Sequence, residues 1–126
     1  MNITAENILR ELVKEHSIDI SDEDTRQEYI DTIENAIESD NSTIELDGME
    51  FRIINENAIR EIYQDEQEEL IQDCYLSNLK EIPWWLEIDW EATVQNCLDS
   101  DGYGHHFSTY DGSELYTDGY YIFRTN

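Results

Sequence analysis

The chain has 126 residues, with 31 Asp and Glu against 7 Lys and Arg, which gives a formal net charge of −24 at pH 7. At roughly 100–200 residues per domain, this length predicts one compact domain and excludes a multidomain enzyme. A field of that sign repels anionic lipid and nucleic-acid phosphates, and no apolar run approaches the roughly 18 residues of a bilayer span, so neither membrane nor direct nucleic-acid binding is expected.

The amino-terminal Met1-Asn2-Ile3-Thr4-Ala5-Glu6-Asn7 lacks the basic and then apolar segments of a secretory signal, so the expected location is the cytoplasm. Residues 6–15 carry Ile8, Leu9, Leu12 and Val13 at helical spacing, with Thr4 or Asn7 as N-cap. Ser21, followed by Asp22, Glu23 and Asp24, opens a second helix whose stripe is Tyr29, Ile30, Ile33, Ala36 and Ile37. Residues 43–53 alternate apolar and polar about Asp47-Gly48, the strongest short-range signal for a hairpin with a two-residue turn. That register sets Leu46 opposite Met49 and Ile44 opposite Phe51 on the buried side, and Glu45 opposite Glu50 on the exposed side, where like charges destabilise.

From Asn55 or Glu56 to about Leu79, Ile59, Ile62, Tyr63, Leu70, Ile71, Cys74 and Tyr75 predict one long helix, interrupted by the acidic run from Gln64 to Glu69. Pro83 stops or restarts it, Trp84, Trp85 and Leu86 supply bulk to the core, and Asp89 caps a last helix through Val94 and Leu98 that ends near Asp101. Residues 102–126 differ: Tyr103, Phe107, Tyr110, Tyr116, Tyr120, Tyr121, Ile122 and Phe123 are punctuated by Asp111-Gly112 and Asp118-Gly119, which predicts an aromatic antiparallel meander. Charge divides at the same place, net −22 over residues 1–101 and −2 over 102–126. The mean hydropathy of −0.69 borders on that of disordered chains, but 14 aromatic residues, one proline and these periodicities argue for folding. The expected class is α+β: about four helices, an early β-hairpin and a carboxyl-terminal meander in a single domain 1–126, with the tryptophans bridging helices to sheet.

The acids fall in stripes. On the second helix Asp24, Glu28, Asp31 and Glu38 project opposite Ile33, and on the long helix Glu61, Asp65, Glu69 and Asp73 form an i, i+4 row with Glu66 and Glu68 beside it. With Glu45 and Glu50 these are the candidate partner-binding residues. Carboxylates one turn apart stand roughly 6 Å from each other, close to phosphate spacing along a strand, and few basic side chains exist to relieve them. Solvated helix faces are the ordinary explanation of charge runs. Like-charge rows on two helices and a hairpin, however, oppose folding in a way that a strongly basic partner would offset. Since a duplex carries one charge per about 1.7 Å, 24 charges correspond to roughly 12 base pairs, the footprint of one protein module.

Asp101-Gly102-Tyr103-Gly104-His105-His106-Phe107-Ser108-Thr109-Tyr110-Asp111-Gly112-Ser113-Glu114 and Tyr121-Ile122-Phe123-Arg124-Thr125-Asn126 resemble the carboxyl end of small acidic proteins of phages, prophages and plasmids. The resemblance covers the last quarter or third of the chain. Its genetic setting is similar to that of antirestriction and anti-CRISPR inhibitors, some of which are DNA mimics, and it implies an inhibitor without naming the target.

Other chemistry is poorly supported. Counting Asp99 as the first ligand of a calcium loop puts Tyr110 at position twelve, where a bidentate Glu is required. His105 and His106 could ligate a metal or act as a base, but neighbours on a strand point to opposite faces and no ligand cluster is spaced to join them. Cys74 and Cys97 have no metal or redox spacing and read as free thiols. There is no glycine-rich phosphate loop, nucleophile elbow or Cys-His pair, so no enzyme, cofactor or metal is expected. The expected function is a mobile-element inhibitor that binds a basic nucleic-acid-binding protein of a host defence system by acidic mimicry or occlusion. The alternative is an acidic adaptor that binds a basic partner through an aromatic patch of Trp and Tyr, or dimerises through the meander.

Overall fold

The computed structural model describes residues 3–73 and 87–126. The readings made for Cys74, Tyr75, Leu79, Pro83, Trp84, Trp85 and Leu86 fall outside those residues. Among the described residues the order is α1 (Ile3–His16), α2 (Glu23–Ala36), β1 (Asn41–Leu46), β2 (Met49–Asn55), α3 (Ile59–Ile71), α4 (Trp90–Phe107), β3 (Leu115–Thr117) and β4 (Tyr120–Arg124). The class is α+β, with the early hairpin and the carboxyl-terminal antiparallel strands in place.

One antiparallel sheet of order β1-β2-β4-β3 organises the molecule. The hairpin register is the one its alternation predicts, with Leu46 opposite Met49, Glu45 opposite Glu50 and Ile44 opposite Phe51. Asp47 (φ 53°) and Gly48 (φ 76°) make the turn in the left-handed conformation that a two-residue hairpin requires. On one sheet face Ile44, Leu46, Phe51, Ile53 and Ile122 pack against Ile8, Leu9 and Leu12 of α1 and Ile30, Ile33 and Ala36 of α2. On the other, Ile54 and Phe123 pack against Ile59 and Tyr63 of α3 and Val94 and Phe107 of α4. Strand β2 is therefore central and buried on both sides, Phe51 and Ile53 in one core and Ile54 in the other.

The helix limits differ from the sequence reading for local reasons. The N-cap of α2 is Asp22, because Ser21 is engaged in a turn in which its backbone N–H and hydroxyl donate to Asp19. Helix α3 begins at Ile59 after a turn in which Asn55 Oδ1 accepts from the Asn57 N–H. Asp89 caps α4 as expected, accepting from the Ala92 N–H at 3.1 Å. That helix continues past Asp101 to Phe107 across a kink at Gly102 (φ 75°, ψ 173°), a conformation open to glycine, so 102–107 is helical rather than part of the strands. Of the two carboxyl-terminal Asp-Gly pairs, Asp118-Gly119 turns between strands while Asp111-Gly112 lies in the loop after α4, and β4 pairs with β2 as well as β3. Trp90, the one described tryptophan, is half-buried at the start of α4 and belongs to neither core. Tyr63, Phe107 and Phe123 join helices to sheet, with ring centroids 6.0 Å and 5.0 Å apart along the chain of contacts.

Gly104 is buried where α4 meets the loop, and a Cβ there would collide with the Gly112 carbonyl oxygen and lie 3.0 Å from the Ser113 carbonyl carbon. Both obstacles are backbone and cannot rotate away. Gly104→Ala is expected to lower the free energy of unfolding by about 1–3 kcal/mol, read from urea denaturation at pH 7; a variant as stable as the parent would show that this packing is not as described.

Candidate functional site

The exposed carboxylates form separate groups rather than one patch. In α3 the buried row is Ile59, Tyr63 and Gln67, and Glu61, Asp65 and Glu69 stand two residues on from each, about 200° around the axis and facing away from the sheet. All three are exposed and make no ion pair or side-chain hydrogen bond among the described residues. Glu68 lies beside them, half-buried, and Asp73 is exposed just beyond the helix. In α2 Asp24, Glu28 and Asp31 are exposed on the side opposite Ile30 and Ile33, with Asp31 accepting from Gln27 Nε2 at 3.0 Å, and Glu38 follows the helix end. Because α2 covers one face of the sheet and α3 the other, these two rows look outward from opposite sides of the molecule. Glu45 and Glu50 are brought together as a facing pair, with Glu50 Oε1 accepting from the Thr125 hydroxyl at 2.6 Å.

Glu66 stands apart from the other candidates. Arg52, on the central strand, donates to it through both terminal nitrogens (3.1 and 2.6 Å), and His106 Nε2 lies 3.0 Å from the same carboxylate. An ionised carboxylate only accepts, so Nε2 carries the proton in this contact. Arg52 Nε also donates to Asn41 Oδ1 at 2.9 Å, and the guanidinium carbon sits 4.8 Å from the Phe107 ring centroid. One side chain thus links β1, β2, α3 and α4. Burial pushes the Glu66 carboxyl up, but the hydrogen bonds from Arg52 and His106, together with their charges, outweigh it and leave its pKa below the ordinary glutamate value.

His105 and His106 are helical neighbours rather than strand neighbours. His106 packs edge-on against Tyr63 and Phe107, while His105 is exposed at a cleft with Cys97 and Asp101. Among the described residues no three His, Cys, Asp or Glu side chains converge as metal ligands. A larger cleft, about 400 Å³, lies between the end of α1 and the loop after α4 and mixes signs: His16, Arg124, Asp111 and Glu114 all line it. Burial, then the Arg124 charge, lowers the His16 pKa despite Asp111 and Glu15, whereas burial raises that of Glu114. Hydrogen bonds from the Ser113 hydroxyl and N–H hold Asp111 low. Arg124 lies 3.8 Å over the Tyr110 ring, and Tyr110 and Tyr116 are half-exposed, at 52% and 50%. No helix of the described residues is long and apolar enough to cross a membrane.

The sequence reading missed the linking role of Arg52. Its signal was the adjacent Ile53-Ile54, which breaks the alternation and shows that β2 has apolar surface on the face shared by Arg52 and Ile54. No protein-family model, curated protein or solved structure matches the chain.

A carboxylate with a depressed folded-state pKa binds its proton more readily when unfolded. Its stabilisation is full above the ordinary glutamate range and is lost as pH falls through the folded value. Glu66→Gln should therefore cost about 1–3 kcal/mol at pH 7 and lose less stability than the parent on acidification from pH 6 to pH 3. Equal acid sensitivity in the two proteins, followed by urea unfolding across that range, would remove Glu66 from this role.

Proposed function

We propose that the protein is a mobile-element inhibitor that occupies a basic nucleic-acid-binding cleft of a host defence complex, acting in the host cytoplasm. The observation that carries this reading is the α3 row of Glu61, Asp65 and Glu69, which faces outward and makes no ion pair among the described residues. Burying Ile59 and Tyr63 fixes the direction of the row, and Arg52 fixes α3 to the sheet through Glu66. A preorganised line of charge binds an oppositely charged cleft with less ordering cost than flexible acids would. The α2 row on the opposite side suits a cleft that encloses its ligand, since a duplex also presents phosphates around its circumference. The carboxyl-terminal resemblance to phage and plasmid proteins supports a defence target, restriction or CRISPR.

An adaptor reading has its own support in the half-exposed Tyr110 and Tyr116, because tyrosine anchors protein interfaces. Tagged protein incubated with host lysate at about 0.1 M and then 0.5 M salt, with duplex DNA or guide RNA as competitor, separates the two. Mimicry predicts capture of a restriction or CRISPR component that nucleic acid displaces and that weakens stepwise through Glu61→Gln, Asp65→Asn and Glu69→Gln, by about two- to tenfold per charge. Capture that survives high salt, ignores nucleic acid and fails on Tyr110→Ala or Tyr116→Ala establishes the adaptor instead.

A further inference from the structure

Strand β1 ends the sheet on one side, and its outer edge is only partly closed. In a hairpin with a two-residue turn the flanking residues form a hydrogen-bonded pair, so Leu46, Ile44 and Ser42 direct their main-chain groups to β2 and Glu45, Thr43 and Asn41 direct theirs outward. The 2.8 Å bond from the Asn55 N–H to the Asp40 carbonyl continues the same parity. At Asn41 the outward groups are satisfied by Ser39, whose hydroxyl donates to the Asn41 carbonyl and accepts from its N–H. At Thr43 and Glu45, both exposed, the outward N–H and C=O groups have no partner among the described residues.

Edges are commonly guarded by lysine, proline, a bulge or extreme shortness. Six residues of β1 pair with β2 in continuous register and contain no proline and no lysine. The edge is, however, strongly acidic. Glu45 and Glu50 face each other on the side away from α1 and α2, Glu38 and Asp40 precede the strand, and Asp47 follows it. The nearest guanidinium, Arg52, is already engaged by Glu66 and Asn41. A second copy of the chain would bring Glu45 against the same acidic edge and −24 against −24, so charge opposes self-pairing.

We propose that the Thr43–Glu45 edge accepts an extended basic segment of another protein as an added strand. Main-chain bonds to Thr43 and Glu45 would hold it, and a Lys or Arg directly opposite Glu45 would lie on the face shared with Glu50. This surface is distinct from the α3 row, and neither reading depends on the other.

The test uses the full chain and a synthetic acetylated, amidated peptide Lys-Val-Lys-Val-Lys-Val-Lys, with amide exchange and amide chemical shifts as readouts. In the free protein the Thr43 and Glu45 amides should exchange rapidly, and the peptide should slow both. A peptide N-methylated at each lysine backbone nitrogen keeps the charge but removes the donors, and should bind about tenfold more weakly. Thr43→Pro, which removes an outward N–H at an edge position that tolerates proline, should weaken binding similarly at unchanged thermal stability. The Glu61→Gln, Asp65→Asn, Glu69→Gln triple variant should bind the peptide within a few-fold of the parent. Protection of the two amides in the free protein, equal binding of both peptides, or self-association through this edge would each overturn the proposal. Should Thr43→Pro fail to fold, the methylated peptide against the parent protein still decides it.

Discussion

The double-sided burial of β2 is the constraint on which the rest depends. Phe51 and Ile53 lie in one core and Ile54 in the other, and all three are essentially inaccessible to water. In a chain with 39% hydrophobic residues and a large self-repulsion, apolar area must be concentrated, because each buried side chain contributes only about 1.5–3 kcal/mol. Packing helices on both faces of one strand achieves that concentration. It also decides what faces outward: α2 and α3, each buried along one stripe on opposite faces of the sheet, turn their acidic sides away from each other.

Arg52 adds direction to this packing. Apolar burial does not distinguish well between small rotations of α3, whereas a two-nitrogen grip on Glu66 does. His106 approaches the same carboxylate from α4, and Phe107 covers the guanidinium. Glu66 is therefore the acid on α3 whose charge is directed inward, and its neighbours Asp65 and Glu69 remain free to point out.

Local signals were legible in the sequence and long-range ones were not. The Asp47-Gly48 turn and its alternation fixed the hairpin register residue by residue, because turn chemistry and side-chain period act over a few positions. The Asp89 cap was readable for the same reason. The kink at Gly102 was not, since glycine there serves either a turn or a bend within a helix, and only the contact of Gly104 with the Gly112-Ser113 backbone distinguishes them. Pairing of β4 with β2, across some 70 residues, has no local trace. Of the acidic candidates on α3, Glu61, Asp65 and Glu69 are exposed, whereas Glu66, grouped with them from the sequence, turns inward to Arg52; neither that contact nor the placement of the two helical rows on opposite sides has a local trace.

The distribution of the basic residues carries the electrostatic argument furthest. Among the six described Lys and Arg, Arg52 and Arg26 meet a carboxylate. Arg60 donates to Gln64 and Gln95, Arg10 to Asn7, and Arg124 to the Asn126 carbonyl while stacking on Tyr110. A chain under selection for stability alone would place such scarce cations beside the densest carboxylates, where each i, i+4 pair contributes about 0.3–0.5 kcal/mol. Here Arg10 and Arg60 brace side-chain amides instead, and Glu61, Asp65 and Glu69 are left without an ion pair among the described residues. The repulsion left in that row opposes folding, and an oppositely charged surface set against it would relieve that repulsion. The outward row of α3 is thus a more informative feature than the net charge itself, because net charge alone serves solubility, whereas a row on one helix face has a direction.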